Sequence, residues 1–187
     1  CWYSPLKEVI SLTNYVSFEQ LKEVYNIILK EGITTFKTKH SNASLPERVA
    51  ANKRDRIHKK GSIFAVRSKD HFTAQGVKGY IITSQETLLE DASQLTHFTP
   101  NVYRTFTYTD EKRTFIKGFE EKNLLQINAF VVDIDTKKHT EQDILLACMD
   151  HSIGLPTGII STERGYQVYF VLDEAFYISN NHNYRSL

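Results

Sequence analysis

Two aspartates, Asp133 and Asp135, are the residues of this chain whose type and spacing most directly suggest chemistry. They follow the apolar run 129–132, which predicts a strand covered on both faces. Residues two apart in a strand project from the same face, about 7 Å apart. Carboxylates placed in this way are hard oxygen ligands for Mg²⁺ or Mn²⁺. The pair therefore predicts metal-assisted chemistry such as nucleotidyl transfer, although a polar strand end without a ligand has the same sequence.

A second candidate site lies in a predicted hairpin whose strands cover residues 157–162 and 166–172. Its polar side chains suit a phosphate ligand, because a guanidinium group can bind phosphate through two hydrogen bonds and hydroxyl and amide groups can add others. A hairpin without a ligand would use the same turn glycine for its backbone and the same tyrosines for packing. The candidate phosphate-binding residues are Ser161, Thr162, Arg164 and Gln167.

The net charge of +1 conceals a strongly basic segment between residues 37 and 69. Ten basic residues there stand against two acidic ones, which gives the segment a net charge of +8. Such asymmetry favours a polyanion as partner, whereas the alternative is a solvated loop. The predicted DNA contacts are Lys53, Arg54, Arg56, Lys59, Lys60, Arg67 and, outside the segment, Arg104.

Hydrophobic periodicity predicts helices in the N-terminal part of the chain and β-structure after it. We expect a helix at about 18–31, preceded by a shorter one near Pro5, and then a linker, arm or mobile loop over 33–61. Short β-rich runs follow. The predicted strands cover 62–67, 79–83 and 102–108, with a helix at 84–91 and a turn at 110–113.

From residue 127 onward the pattern predicts the order β–α–β–β, which is compatible with a ferredoxin-like or RNA-recognition-motif-like mixed sheet backed by helices, an α+β fold. Thr140 and Asp143 resemble a capping box at the start of a helix over about 141–152. The predicted apolar face of this helix consists of Ile144, Leu145, Cys148 and Met149.

The two cysteines, Cys1 and Cys148, predict no disulfide framework, and Cys148 is expected in the core. No run of about 18 apolar residues predicts a membrane span, and no signal-peptide pattern is present. These features favour a cytoplasmic location without a membrane partner.

Five segments form a recognisable series along the chain: Gly61–Lys69, Thr96–Arg104, Asn123–Asn128, Phe130–Asp135 and Arg164–Leu172. The series resembles the replication initiation (Rep) proteins of theta-replicating plasmids of Gram-positive bacteria and, more broadly, the archaeo-eukaryotic primase, or primase-polymerase, superfamily. Two acids on a strand form the first motif of that superfamily. Its second motif is a small hydroxyl residue followed by a histidine that contacts the nucleotide.

The resemblance implies that Asp133 and Asp135 are catalytic and hold Mg²⁺ or Mn²⁺. It also implies that the polar residues of the hairpin bind the nucleotide. The implied protein is a plasmid DNA replication initiator whose domain binds divalent metal, nucleoside triphosphates and DNA, either a plasmid origin or a primed template. Host replication proteins are further expected partners, and DNA-dependent primase or polymerase activity is expected of the full-length protein.

The sequence departs from the superfamily pattern at two points. Gln167 stands where the histidine is expected, as in those Rep proteins, and it can form hydrogen bonds but adds no positive charge and transfers no proton. No third acidic motif is apparent on a later strand, since Asp173 lies too close to the second motif. We therefore expect a primase-polymerase-like domain over 61–187, incomplete at its C-terminus, preceded by a helical and basic extension over 1–60.

Two other functions remain open at this point. One is a catalytically inactive module of the same fold that binds origin DNA or supports assembly. The other is a single-stranded nucleic-acid binder that stacks bases on Tyr103, Phe106 and Tyr108. A nicking initiator is disfavoured, because the chain lacks a His-hydrophobic-His pair.

Overall fold

A computed structural model of the chain describes residues 17–109, 111–112, 114–118 and 120–178. These residues fold into two compact units. The small unit is built from Ala129–Asp173, and the large unit from Phe18–Asn128 together with residues 174–178. The predicted α+β class is confirmed, while the primase-like fold and the domain boundary at residue 60 stay predictions. The helix predicted near Pro5 and two residues of the turn at 110–113 lie outside the described residues.

Three helices belong to the large unit: α1 (Phe18–Leu29), α2 (Leu45–Asp55) and α3 (Gln85–Asp91). Helices α1 and α3 confirm the predictions for those segments. Helix α2 corrects the prediction of a linker or mobile loop over 33–61. Its N-terminus is a capping box of Ser44 and Glu47, but Ala51 is its one buried residue. A helix without an apolar stripe gives no periodic signal, which is why the sequence pattern missed it.

The strands of the large unit are short and antiparallel. A three-stranded sheet has the order β4-β1-β5, and a four-stranded sheet has the order β2-β3-β8-β7. A further strand, β6, pairs with β9. The bounds are β1 (Ile63–Val66), β2 (Phe72–Thr73), β3 (Gly76–Val77), β4 (Tyr80–Ile82), β5 (His97–Phe98), β6 (Val102–Tyr103), β7 (Thr107–Tyr108), β8 (Ile116–Lys117) and β9 (Leu124–Ile134). Short 3₁₀ turns cover Lys69–His71, Ala92–Gln94 and Glu121–Asn123.

The single strand predicted over 102–108 is wrong, because β6 and β7 lie in different sheets. Between them Phe106 turns into a buried cluster with Phe64, Val66 and Ile116. The ring of Tyr103 packs on Phe106 with their centroids 5.1 Å apart. These aromatic side chains serve the core of the large unit, which disfavours base stacking as their role.

Helix α1 ends against two buried amides. Gln126 and Asn128 of β9 are fully buried, and the Asn128 amide donates to the carbonyls of Leu29 (3.2 Å) and Pro100 (3.1 Å). The last helical carbonyls lack partners within the helix, so these side chains satisfy one of them. The chain then turns through Lys30 (φ +46°). The segment 123–128, which contributes to the family resemblance, thus has a structural role in holding α1.

The small unit has the order β–α–β–β that the sequence predicts. It contains the end of β9, α4 (Glu141–Asp150), β10 (Gly158–Ser161) and β11 (Tyr166–Tyr177), with the strand order β10-β11-β9. Strands β9 and β11 both continue into the residues of the large unit. Helix α4 begins with the predicted capping box of Thr140 and Asp143.

One face of the small unit's sheet packs on α4. The buried cluster contains Ile144 and Cys148 of the helix and Ile159, Tyr166 and Val168 of the strands, with Ile134 and Phe170 at its margin. This confirms Cys148 as a core residue. Met149 is 61% exposed, so its assignment to the apolar helix face is wrong.

The prediction that residues 129–132 are covered on both faces is also wrong. Phe130 and Val132 are about half exposed, at 50% and 49%. Burial along β9 is concentrated at Leu125–Ala129, and the side chains from Phe130 to Asp133 are exposed. Among the described helices, none is long and apolar enough to cross a membrane.

Candidate functional site

Strand alternation places Asp133 and Asp135 on the sheet face opposite α4. Ile134 between them packs against the cluster that contains Ile144 and Cys148 of α4. Successive side chains of a strand point to opposite faces, so the two carboxylates point away from the helix. Both aspartates are exposed at the end of β9. An anchored strand thus presents two acids on an open surface.

The same alternation places Gln167 and Tyr169 of β11 on the aspartate face, because Tyr166 and Val168 belong to the α4 cluster. Burial raises the pKa of the Tyr169 phenol, and the nearby charge of Asp133 raises it further. The Tyr169 hydroxyl donates to Oε1 of Gln167 over 3.2 Å. The Gln167 amide oxygen is therefore engaged, and its NH₂ group supplies the hydrogen-bond donors available to a ligand.

Gly165 brings the hairpin turn against the end of β9. A Cβ atom at this position would lie 1.6 Å from the carbonyl oxygen of Ile134 and 2.8 Å from the backbone nitrogen of Thr136. Only glycine permits an approach this close. The turn is closed by hydrogen bonds from Thr162 N to Gly165 O (2.9 Å) and from Gly165 N to Thr162 Oγ1 (3.1 Å). The acid motif and the hairpin motif, 30 residues apart, thus meet at one end of the sheet.

The structure does not place all the predicted nucleotide-binding residues on the aspartate face. Ser161 pairs with Tyr166 across β10 and β11, so its side chain lies on the α4 side of the sheet. There Ser161 Oγ accepts a hydrogen bond from Lys137 Nζ (2.7 Å), and this ammonium lies 4.6 Å from the centroid of the Tyr166 ring. Sequence reasoning missed Lys137, because its contact with Ser161 joins residues 24 apart in the sequence.

The other two predicted ligands lie in the hairpin turn. Thr162 Oγ1 accepts from the backbone of Gly165 and so helps to hold the turn. Arg164 is exposed at the tip. Its guanidinium is the predicted phosphate ligand least committed to the fold of the small unit.

The carboxylates of the small unit suit a metal bound together with a phosphate ligand. The described part of the chain contains no group of three or more His, Cys, Asp or Glu side chains arranged to hold a metal ion. Asp133 and Asp135 offer two hard oxygen ligands, and Mg²⁺ in nucleotide sites is commonly held by one or two carboxylates plus substrate phosphates. The donor set therefore fits Mg²⁺ or Mn²⁺ accompanied by a nucleotide better than a metal ion alone.

Two of the predicted DNA contacts, Arg67 and Arg104, are engaged with other residues of the large unit. Arg67 Nη2 lies 3.5 Å from Asp91 Oδ1, and the guanidinium carbon lies 4.2 Å from the centroid of the Tyr80 ring. Arg104 Nη2 donates to the carbonyl of Ile178 (2.6 Å). Both arginines are only partly exposed. Their contacts are those of structural cations.

The remaining predicted DNA contacts lie on α2 and the segment after it. Lys60 Nζ donates to the carbonyl of Glu31 (2.7 Å), which ties this lysine to the end of α1. The other four, Lys53, Arg54, Arg56 and Lys59, are exposed. The basic segment therefore divides into cations that hold the fold and cations that face solvent.

Comparisons with known proteins agree with the resemblance to replication initiation proteins. The chain is 39% identical over 171 residues to a protein of Bacillus anthracis named Replication initiation protein; the alignment covers 88% of this chain and 33% of that protein. It is equally similar, over 169 residues, to Protein RepS of Streptococcus pyogenes and Protein RepR of Streptococcus agalactiae, with 32% of each covered. The chain thus spans about a third of the length of these relatives. No protein-family profile and no solved structure matches it.

Proposed function

We propose that this chain is part of a plasmid replication initiator, in which the small unit binds a nucleoside triphosphate with a divalent metal and the large unit binds DNA. The names of the similar bacterial proteins support the first part of the proposal. The exposed carboxylates of the small unit and the exposed cations of the large unit support the division of roles. In the full-length protein the corresponding activity is that of a DNA-dependent primase or polymerase that works with host replication proteins.

The observation that carries the proposal is the meeting of the two motifs at Gly165. Because the turn lies directly on the backbone of Ile134, the start of β11 with Gln167 lies beside the end of β9 with Asp133 and Asp135. Carboxylates for a metal and amide donors for a phosphate oxygen would then be available on one face of the sheet.

The proposed chemistry is attack of a 3′-hydroxyl on the α-phosphate of the nucleotide, with diphosphate leaving. Asp133 and Asp135 would hold Mg²⁺ or Mn²⁺, which supplies charge neutralisation on the phosphates and lowers the pKa of a coordinated hydroxyl. The NH₂ group of Gln167 would hold a phosphate oxygen, with Arg164 of the adjacent turn as a second donor. The proton of the 3′-hydroxyl would pass to solvent, and the contribution of these residues would be position and charge stabilisation.

Binding of Mn²⁺ and a nucleotide tests the proposal directly. The signal of free Mn²⁺ in electron paramagnetic resonance reports metal binding, and fluorescence anisotropy of a labelled deoxyadenosine triphosphate reports nucleotide binding. We expect the wild-type chain to bind the nucleotide more tightly with Mn²⁺ than without it, and the double variant Asp133→Asn/Asp135→Asn to lose at least about tenfold in affinity, a change of about 1.4 kcal/mol.

Asp150→Asn is the matched control, because Asp150 is an exposed carboxylate of the same unit at the end of α4. It should bind the metal and the nucleotide as the wild type does. Equal nucleotide affinities in the wild type and the double aspartate variant would refute the metal and nucleotide site.

A second candidate function is a DNA-binding module without catalysis. It is favoured by one observation: the cations Lys53, Arg54, Arg56 and Lys59 are exposed and can bind DNA phosphates without the aspartates. In that case DNA affinity would fall steeply with salt and would not respond to the aspartates or to Mn²⁺. The full-length protein should then also fail to extend a labelled primer under conditions in which it binds DNA.

A further inference from the structure

A groove of about 370 Å³ lies between α2 and the segment 34–38 of the large unit, and we call it the α2 groove. The helical residues that line it are Leu45, Arg48, Val49, Asn52, Asp55 and Arg56. Because these positions recur at intervals of three and four residues, they form one continuous face of the helix. Phe36 contributes to the opposite wall. One face of α2 is therefore the wall of a groove that a ligand can enter.

The α2 groove is held open by hydrogen bonds at both ends of the helix. The Asp55 carboxylate at the C-terminus accepts hydrogen bonds from Thr35 N and Thr35 Oγ1, each 3.0 Å long. In the segment before the helix, the Glu86 carboxylate of α3 accepts from Ser41 Oγ (2.9 Å) and Asn42 N (3.3 Å). A groove that is formed before the ligand arrives costs little ordering when the ligand binds.

Apolar side chains line the groove beside the N-terminal half of α2. Leu45 is 66% exposed and Val49 is 47% exposed, and Phe36 on the opposite wall is only partly buried. Apolar surface that stays open to water gains free energy when a ligand covers it. The groove therefore suits a ligand that carries apolar groups of its own, which the phosphates of a DNA backbone do not supply.

The charge that the groove offers to a ligand is positive. Two of its charged residues are already engaged, since Lys37 forms an ion pair with Glu90 and the Asp55 carboxylate accepts from the opposite wall. Arg48 and Arg56 are exposed. Within the part of the chain that the structure describes, neither guanidinium has a hydrogen-bond or ion-pair partner. A ligand with carboxylate groups would complement both arginines.

The spacing of the polar residues along the groove favours a peptide. Arg48 and Arg56 are eight positions apart, about 12 Å along the helix axis, and Asn52 lies midway between them. An extended peptide covers this length in about four residues. The Asn52 amide can both donate to and accept from a peptide backbone. A mononucleotide, by contrast, concentrates its negative charge at one end.

We propose that the α2 groove binds an acidic peptide segment of a partner protein. Apolar side chains of the peptide pack on Leu45, Val49 and Phe36, and its backbone bonds to the amide of Asn52. Carboxylates on the two sides of the apolar residues pair with Arg48 and Arg56. This inference rests on the proposed function only in its premise that the protein works with partner proteins, and it requires neither nucleotide nor DNA.

Selection from a peptide library tests the groove without assuming a particular partner protein. A library of random 12-residue peptides displayed on phage is selected on the wild-type chain. The most enriched peptide is then synthesised with a fluorescein label, and its affinity is measured by fluorescence anisotropy. We expect the enriched sequences to carry acidic residues on both sides of apolar ones. The affinity should fall as the salt concentration rises, because salt screens exposed ion pairs.

Three variants of the helix separate the groove from the rest of α2. Arg56→Ala removes a charged contact and Val49→Gln removes an apolar one, so each should weaken the selected peptide at least about fivefold. Lys53→Ala is the matched control, because Lys53 is an exposed cation of the same helix that lies outside the groove lining. It should bind the peptide as the wild type does. Thermal unfolding verifies that each variant is folded, which is expected because these side chains are exposed.

Two results would overturn the peptide site. One is a selection that enriches no acidic sequences, or a selected peptide that Arg56→Ala and Val49→Gln bind as tightly as Lys53→Ala does. The other is a loss of duplex DNA affinity in Val49→Gln as large as its loss of peptide affinity, which would assign the groove to DNA. Duplex binding and nucleotide binding with Mn²⁺ are measured separately on the wild-type chain, so failure of the peptide site leaves those parts of the proposed function standing.

Discussion

The two units of this chain carry opposite charges. The small unit, Ala129–Asp173, contains seven acidic and three basic residues, a net charge of −4. The described residues of the large unit contain 17 basic and 13 acidic residues, a net charge of +4. A total near zero therefore says nothing against a nucleic-acid partner, because it averages an acidic unit and a basic unit, to which we assign the metal–nucleotide complex and DNA in the proposed function.

The units also differ in how their charged residues are used. In the small unit, Asp133 and Asp135 are exposed on a strand whose other face packs on a helix. In the large unit, Arg67 and Arg104 make contacts within the unit, whereas Arg48, Lys53 and Arg54 of α2 are exposed. Composition marks both units as charged, but only the fold separates the structural charges from those available to a ligand.

The largest predicted effect is on the stability of the small unit, and we expect it from a substitution of Gly165. Gly165→Ala places a methyl group on the carbonyl of Ile134, where neither backbone can yield easily, so we expect a loss of about 3 kcal/mol in the free energy of unfolding. Chemical denaturation monitored by circular dichroism measures it. Gly158→Ala in the same hairpin is the control, because a Cβ there meets no atom within 4 Å. Equal stability of the two variants would mean that the turn is not seated on β9 as described.

Much of the small unit was predictable because each element carries its own local signal. The capping box of Thr140 and Asp143 marks the start of α4, and alternating strands with Gly165 in the turn mark the hairpin. The large unit was harder. Helix α2 has no apolar stripe, and the run 102–108 breaks into two strands because Phe106 is drawn into a cluster formed by residues distant in sequence.

The candidate site shows the same limit. The aspartate pair and Gln167 could be read from spacing, and the structure places them on one face. The placement of Ser161 on the opposite face depends on its pairing with Tyr166, and the contact between Lys137 and Ser161 depends on the path of the loop after β9. Neither is encoded in a local pattern. The same holds for Arg67 and Arg104, whose internal partners come from residues far along the chain.

A moderate effect is expected at Tyr169, which orients Gln167 on the acidic unit. Tyr169→Phe keeps the packed ring and removes the hydroxyl that donates to Gln167 Oε1, so the affinity for deoxyadenosine triphosphate with Mn²⁺ should fall by about fivefold, the equivalent of one hydrogen bond. Isothermal titration calorimetry measures the change. In a Gln167→His background, Tyr169→Phe should change the nucleotide affinity by a different factor, because the Tyr169 hydroxyl would then face an imidazole instead of the Gln167 amide. Identical losses in both backgrounds would show that Tyr169 acts independently of residue 167.

The smallest predicted effect is on the pKa values of the two capping-box carboxylates, Asp143 in the small unit and Glu47 in the large unit. Backbone and then side-chain hydrogen bonds from Thr140 hold the pKa of Asp143 below its usual value, and hydrogen bonds from Ser44, first the hydroxyl and then the backbone, do the same for Glu47. A lowered folded-state pKa means that each box stabilises its helix above the unfolded pKa and loses that contribution as pH falls through the folded pKa.

Carboxyl carbon-13 titration by nuclear magnetic resonance measures both groups in one experiment. Thr140→Ala should raise the pKa of Asp143 and leave that of Glu47 unchanged, and Ser44→Ala should do the reverse. Thr140→Ser, which keeps a hydroxyl, is the control for the small unit. A pKa of Asp143 that does not respond to Thr140→Ala would contradict the capping box in α4.

The most direct test of the division of roles measures two affinities on the same two variants: deoxyadenosine triphosphate with Mn²⁺, and a duplex selected by the wild-type chain. Asp133→Asn/Asp135→Asn should lose at least about tenfold in nucleotide affinity and keep its affinity for the duplex, whereas Lys53→Ala/Arg54→Ala should show the opposite pattern. Parallel losses of both ligands in either variant, or no loss in both, would contradict the assignment of nucleotide to the small unit and DNA to the large one.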